Sequence, residues 1–206
     1  MNQTDAMARA ARAKKVTWVG FWVNVVLSVA KIIAGIVGRS GAMIADGVHS
    51  ISDFVTDIIV IVFIGVSAKG ENTRFRYGHG KFETFATMLI SFALFAVAVG
   101  LFWTSFSQIV DAFNGKVLPR PEMVALVMAF VSVVAKEWLF HYTRVAGEQM
   151  NSMALVANAW HHRSDAFSSI AVLVGIGCAM FLGERWRVLD PIAAATVSVF
   201  IALVAY

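Results

Sequence analysis

Apolar residues gather into six runs along the chain, at 16–38, 42–67, 83–110, 122–145, 152–182 and 189–206. Each run approaches or exceeds the roughly 20 mostly apolar residues that a helix needs to cross a bilayer. The breaks are Gly38-Arg39-Ser40-Gly41, a charged stretch from Lys69 to Lys81, Asn114-Gly115-Lys116 through Pro121, a weak interruption near Gly147, and Gly183-Glu184-Arg185. All use turn formers or charges. The pattern predicts an all-α integral membrane protein with six transmembrane helices over 16–206, preceded by a polar, basic segment at 1–15. Six spans use up nearly the whole length, which leaves no room for a C-terminal soluble domain.

Charge sets the expected orientation. Arg9, Arg12, Lys14, Lys15, Lys69, Arg74, Arg76, Lys81 and Arg144 fall on the N-terminal side of the predicted spans. Arg39, Lys116, Arg120, Arg185 and Arg187 fall on the other. The excess of basic residues on the inside predicts that both termini are cytosolic, in a multi-pass protein of the cell (inner) membrane. No small-residue cleavage site follows the basic start, so 1–15 reads as a retained cytosolic end.

Composition agrees with a bilayer as solvent, with 59% of the 206 residues hydrophobic and 15% charged. The net charge of +4 does not point to nucleic acid, because the basic residues lie mainly between apolar runs. The single cysteine, Cys178, excludes a disulfide framework and a thiolate zinc site. Trp22, Trp103, Trp138, Trp160, Trp186 and Tyr142 include several residues near expected span ends, where amphipathic rings settle. Gly175-Ile176-Gly177 and Ala193-Ala194-Ala195 permit close packing of the fifth and sixth helices with each other or with a second subunit.

The ionisable residues inside the apolar runs carry the chemistry, since each is costly to bury unless paired, solvated or bound to metal. In the second run Asp46, His49, Asp53 and Asp57 follow intervals of three, four and four, which place them on one helical stripe. In the fifth, Asn158, His161 and Asp165 repeat the first two intervals. Asp46-x-x-His49-x-x-Ser52-Asp53 and Asn158-x-x-His161-x-x-Ser164-Asp165 are one pattern written twice. A His and an Asp four residues apart offer one nitrogen and one oxygen from adjacent turns. Two such pairs supply four ligands of the kind that suit tetrahedral Zn²⁺. A single pair is equally well read as a packing hydrogen bond or a cavity lining; the duplication favours His49, Asp53, His161 and Asp165 as a transport site.

Other residues keep two readings. Asp46 and Asp57 either draw a cation along a path or pair with Lys31, Lys136 or Arg163, whose positions in apolar runs require anionic partners. His162 lacks a partner four residues on and is read as supporting the site or facing a pore. Lys136-Glu137 reads as a structural ion pair or a snorkelling group. His79 sits in a glycine-bounded turn and contacts metal only if partners join it. His141 has no evident companion.

Asp46-Gly47-Val48-His49-Ser50-Ile51-Ser52-Asp53, Tyr77-Gly78-His79-Gly80-Lys81-Phe82-Glu83 and His161-His162-Arg163-Ser164-Asp165, set among six expected spans, resemble the transmembrane domain of the cation diffusion facilitator family. The resemblance covers essentially the whole chain. It implies proton-coupled export of a divalent metal by a homodimer, with no prosthetic group and the ion itself as cargo, at a site matching His49, Asp53, His161 and Asp165. The two histidines suggest Zn²⁺, with Cd²⁺ and Co²⁺ as alternatives; a carboxylate-rich site is expected for Mn²⁺. Some members bind a second ion between spans two and three with an Asp and a His, where this chain has Asn72 and Phe75. Members usually continue into a cytosolic metal-binding domain, whereas this sequence stops at Tyr206. Dimerisation is then expected to rest on membrane helices and the loop from Lys69 to Lys81. The rival classes are an intramembrane metal-dependent hydrolase, which lacks a His-Glu-x-x-His helix motif here, and a metal-gated channel.

Overall fold

The computed structural model describes residues 3–52, 80–150 and 152–205. Among them every regular element is helical: α1 (Gln3–Val37), α2 (41–52 as far as described), α3 (Gly80–Phe113), α4 (Met123–Gln149), α5 (Met153–Phe181) and α6 (Leu189–Ala205). A short 3₁₀ segment, Glu184–Val188, leads into α6. Among the described residues five segments are long and apolar enough to cross a membrane: Lys15–Val37, Ser91–Phe113, Met123–Gln149, Asn158–Phe181 and Glu184–Leu203. The second apolar run is described only to Ser52, so most of the sixth expected span lies outside the described residues. Helix α1 already begins at Gln3, ahead of the first candidate span, which starts at Lys15.

Close approach through small residues assembles the bundle. α1 and α4 run antiparallel: Gly38 meets Ala125 at one end, Gly20 meets Leu139 near the middle, and Val16 clusters with Ala146 at the other end. α4 and α5 pack extensively on each other, and α4 ends at Gln149 and α5 begins at Met153, a few residues after the break expected near Gly147. Gly147 is a contact point, since a Cβ there would lie 3.0 Å from the backbone nitrogen of Val156. Ser152 then starts α5 as its N-cap, accepting a hydrogen bond from the Leu155 backbone N–H. At Gly175 a Cβ would stand 3.0 Å from the Ala193 Cβ, so the small residues of α5 and α6 do bring those helices together.

The start of α2 is fixed from α6. Ser40 Oγ accepts from the Met43 backbone N–H at 3.1 Å and donates to Asp190 Oδ1 at 2.5 Å. The other Asp190 oxygen accepts from the Gly41 N–H at 2.8 Å. A carboxylate at a helix N-terminus satisfies donors that have no partner within the helix and meets the positive end of its dipole. Asp190 is buried, so this cap lies inside the bundle.

Large side chains cover the outside. Phe92, Trp103 and Phe113 of α3 are all more than 70% exposed, as expected of a helix whose outer face meets lipid tails. The interior is built instead from Ala42, Ala45, Ala125, Ala129 and Ala194 around Met43 and Ile176.

Gly47 shows how tight the α1–α2 contact is: a Cβ there would lie 2.7 Å from Ile32 Cγ1 and 3.1 Å from the Ile32 backbone nitrogen. Gly47→Ala is expected to lower stability by about 1–3 kcal/mol through overpacking. Gly100→Ala, at a helical position with no neighbour within 4 Å, is expected to be neutral or slightly stabilising. Thermal unfolding of the two variants in detergent checks the contrast.

Candidate metal-transport site

Among the described residues two lysines lie inside the bundle, and they are held in different ways. Lys31 of α1 is fully buried and pairs with Asp46 Oδ2 of α2 at 2.8 Å. It also donates to Ser50 Oγ at 3.1 Å and to Ser169 Oγ of α5 at 3.3 Å. An ammonium has three hydrogens, and all three are used. Ser169 Oγ donates its own hydrogen bond to Asp46, 3.2 Å from Oδ2. Ser132 of α4, 3.5 Å from Ser169, is therefore the donor in that contact. Four helices meet at this knot. Of the two readings open for Asp46, the ion pair with Lys31 is the one adopted.

Lys136 of α4 donates to Asp165 Oδ2 of α5 at 2.7 Å, with both side chains buried. It does not pair with Glu137, its neighbour in sequence. Glu137 instead meets His141 at 3.2 Å one turn on, which gives His141 the companion that was not evident in the sequence. Among the described residues Arg163 has no carboxylate partner: its guanidinium lies 4.7 Å from the Phe140 ring centroid and 5.4 Å from that of Trp160. A cation over aromatic faces is held by their quadrupoles, with no carboxylate required.

His161 Nε2 lies 3.9 Å from the same Asp165 oxygen that Lys136 holds. Two ligands of one tetrahedral ion, with bonds of about 2.0–2.2 Å, are separated by roughly 3.4 Å. A small closure of the pair would bring it to ligand spacing. The His161 side chain is 45% exposed, whereas that of Asp165 is buried.

α2 begins beside Asp190, at the end of the bundle where α5 finishes, so α2 and α5 run antiparallel. Asp46 and Ser169 are in contact, and one turn onward along α2 stands His49 while one turn back along α5 stands Asp165. Helix register thus sets His49 and Asp165 at a common level. His49 is half-buried, and its carbonyl accepts from Ser52 Oγ at 2.7 Å. Among the described residues no three metal-binding side chains form a cluster; His161 and Asp165 are the two candidate ligands brought together.

Asp53, Asp57 and His79 lie outside the described residues. Asn158 is half-buried near the start of α5. His162 is buried and turned toward α1, its Nε2 lying 3.6 Å from where a Cβ on Gly20 would stand. Among the described residues neither of its ring nitrogens has a hydrogen-bond partner. The serines of the knot, and Asp190 with Ser40, were not singled out from the sequence. Ser169, one turn beyond Asp165 on the same stripe, was the available signal.

Helices with lipid-facing outer surfaces around a buried seam of ionisable side chains define a polytopic membrane protein with an intramembrane polar site. A family model described as the cation efflux transmembrane domain matches residues 17–206. The chain belongs to this family, the cation diffusion facilitators, of which it carries the transmembrane portion. It is 34% identical over 200 residues to the manganese efflux system protein MneP of Bacillus subtilis, covering 95% of this chain and 66% of that protein. Identity to the magnetosome protein MamB of Magnetospira sp. is 33% over 199 residues, 97% of this chain and 65% of that protein. The mitochondrial metal transporter 1 of Saccharomyces cerevisiae is 34% identical over 185 residues, 79% of this chain and 36% of its own length. The chain thus spans between about a third and two thirds of the length of these curated relatives.

The knot generates a stability prediction. Lys31→Met leaves Asp46 buried without its cation and is expected to cost about 3–5 kcal/mol. Combining it with Asp46→Leu removes both charges, and the double variant is expected to be less destabilised than the sum of the two single ones. A double-mutant cycle of unfolding in detergent measures this coupling; strictly additive losses would mean that the two groups do not interact.

Proposed function

We propose that this chain is the membrane-embedded transport domain of an exporter of divalent transition-metal ions, with six spans and both termini cytosolic. The carrying observation is the duplicated His/Asp pattern in the sequence, the described parts of which, 46–52 and 158–165, lie on antiparallel helices registered by the contact between Asp46 and Ser169. His49, Asp53, His161 and Asp165 form the transport site in this reading. The relatives named as metal transporters or as an efflux system support the direction and class of the activity. We assign it to the cell (inner) membrane, where it acts as a homodimer through its membrane helices.

Imidazole nitrogens must be neutral and carboxylates ionised to hold a metal, so protons compete with the ion at the same atoms. Export then works as exchange: a cytosolic ion displaces protons from His49 and His161, the helices reorient, and external protons release the ion. Rigid-body rocking about a midplane site is a common form of alternating access. No enzymatic step is part of this reading. Two imidazoles and two carboxylates favour Zn²⁺, with Cd²⁺ and Co²⁺ as further substrates. Mn²⁺ is a second reading, favoured by the 34% identity to a protein named for manganese efflux.

Reconstitution in liposomes tests the proposal. Zn²⁺ flux is expected to saturate, to need an opposing pH gradient, and to fall to the level of empty liposomes in Asp53→Ala and in Asp165→Ala. Flux that is unchanged in both variants removes the proposed site, and flux indifferent to the gradient points to a channel. Parallel runs with Mn²⁺ rank the two ions; faster Mn²⁺ flux would overturn the zinc preference alone.

A further inference from the structure

We infer that Lys136 is a tethered stand-in for the transported ion: without metal its ammonium occupies Asp165, and a divalent ion binds by displacing it. The inference rests on the reading of Asp165 as a ligand, and adds a specific competitor built into the chain.

Three observations carry it. Lys136 Nζ lies 2.7 Å from Asp165 Oδ2, the oxygen that faces His161 Nε2 across 3.9 Å. The ammonium is therefore on the atom that an ion shared with His161 would use. Secondly, the two buried lysines contrast. Lys31 makes bonds to three acceptors on two other helices, whereas Lys136 has Asp165 as its one hydrogen-bond acceptor among the described residues. One bond is released far more readily than three, so Lys31 is fixed in place and Lys136 is free to exchange.

Thirdly, the displaced ammonium has somewhere to go. The antiparallel register of α1 and α4, set by Gly38 against Ala125, Gly20 against Leu139 and Val16 with Ala146, puts Asn24 at the level of Lys136. Asn24 Oδ1 is buried and has no hydrogen-bond partner among the described residues. An unpaired buried carbonyl is costly to keep. It supplies an acceptor for a lysine leaving Asp165, on the α1 side of its own helix. Metal loading thereby moves a cation from α5 toward α1, and unloading brings it back to neutralise the vacated carboxylate. The site never holds Asp165 as a bare charge in a medium of low dielectric.

A competitor that closes the site about nine-tenths of the time weakens the apparent affinity about tenfold. Equilibrium Zn²⁺ binding to the purified full chain at one fixed pH is therefore expected to be about tenfold tighter in Lys136→Met than in wild type. Lys136→Arg, which keeps the cation, is expected to stay near wild type. Asn24→Leu, which removes the receiving acceptor, is expected to bind Zn²⁺ several-fold more weakly. Asp165→Asn separates this inference from the site reading beneath it. If Asp165→Asn leaves binding unchanged, the site reading fails and the inference falls with it. If Asp165→Asn weakens binding but Lys136→Met does not tighten it, the stand-in role alone is overturned. Should Lys136→Met not fold, Asn24→Leu decides: weaker binding supports the exchange, and wild-type binding overturns it.

Discussion

The interior of this bundle is organised by the need to keep one ammonium group solvated without water. Lys31 sits at full burial among apolar helices, and its three hydrogens demand three acceptors. Asp46, Ser50 and Ser169 provide them, and Ser132 completes the set by donating to Ser169. Since these groups come from α2, α5 and α4, satisfying the one charge fixes the rotation of each helix about its own axis. Lipid offers no hydrophobic drive for helix association, so directional polar contacts of this kind, with small-residue packing, take over the task of specifying the arrangement.

The same arrangement presents the candidate ligands. Ser169 and Asp165 are one turn apart on α5, so the face of α5 that the lysine knot turns inward is the face that carries Asp165. On α2 the step from Asp46 to His49 has the same effect. Alanine and glycine at the helix crossings let the backbones come close enough for short side chains to reach, as at Gly47 against Ile32. A closed, saturated ion pair thus lies one helical turn from an open, singly bonded one.

Helices α3 to α6 were legible because apolar run length and turn formers act locally: all four match the expected runs to within about four residues, and the exception is α1, which begins at Gln3, well ahead of its apolar run. The duplicated His/Asp pattern was legible for the same reason, being a matter of spacing along single helices. Partner choice was not. Sequence offered Lys31, Lys136 and Arg163 as cations of equal standing, and only packing distinguishes a lysine among serines, a lysine on one carboxylate and a guanidinium over two aromatic rings. Gly147 misled for a physical reason: a glycine that ends a helix and a glycine that admits a neighbouring helix look alike in one dimension. Asp190 carried no signal either, since the helix it caps begins 149 positions away in the chain.

That cap has a mechanical consequence. Helix α2 is clamped at its first turn by the carboxylate of α6 and again, one turn further on, by the ammonium of α1. A rod clamped at two nearby points cannot slide lengthwise or spin. Any rearrangement that changes how α2 faces α5 must either flex the rod beyond the second clamp or carry α1 and α6 along as a single lever.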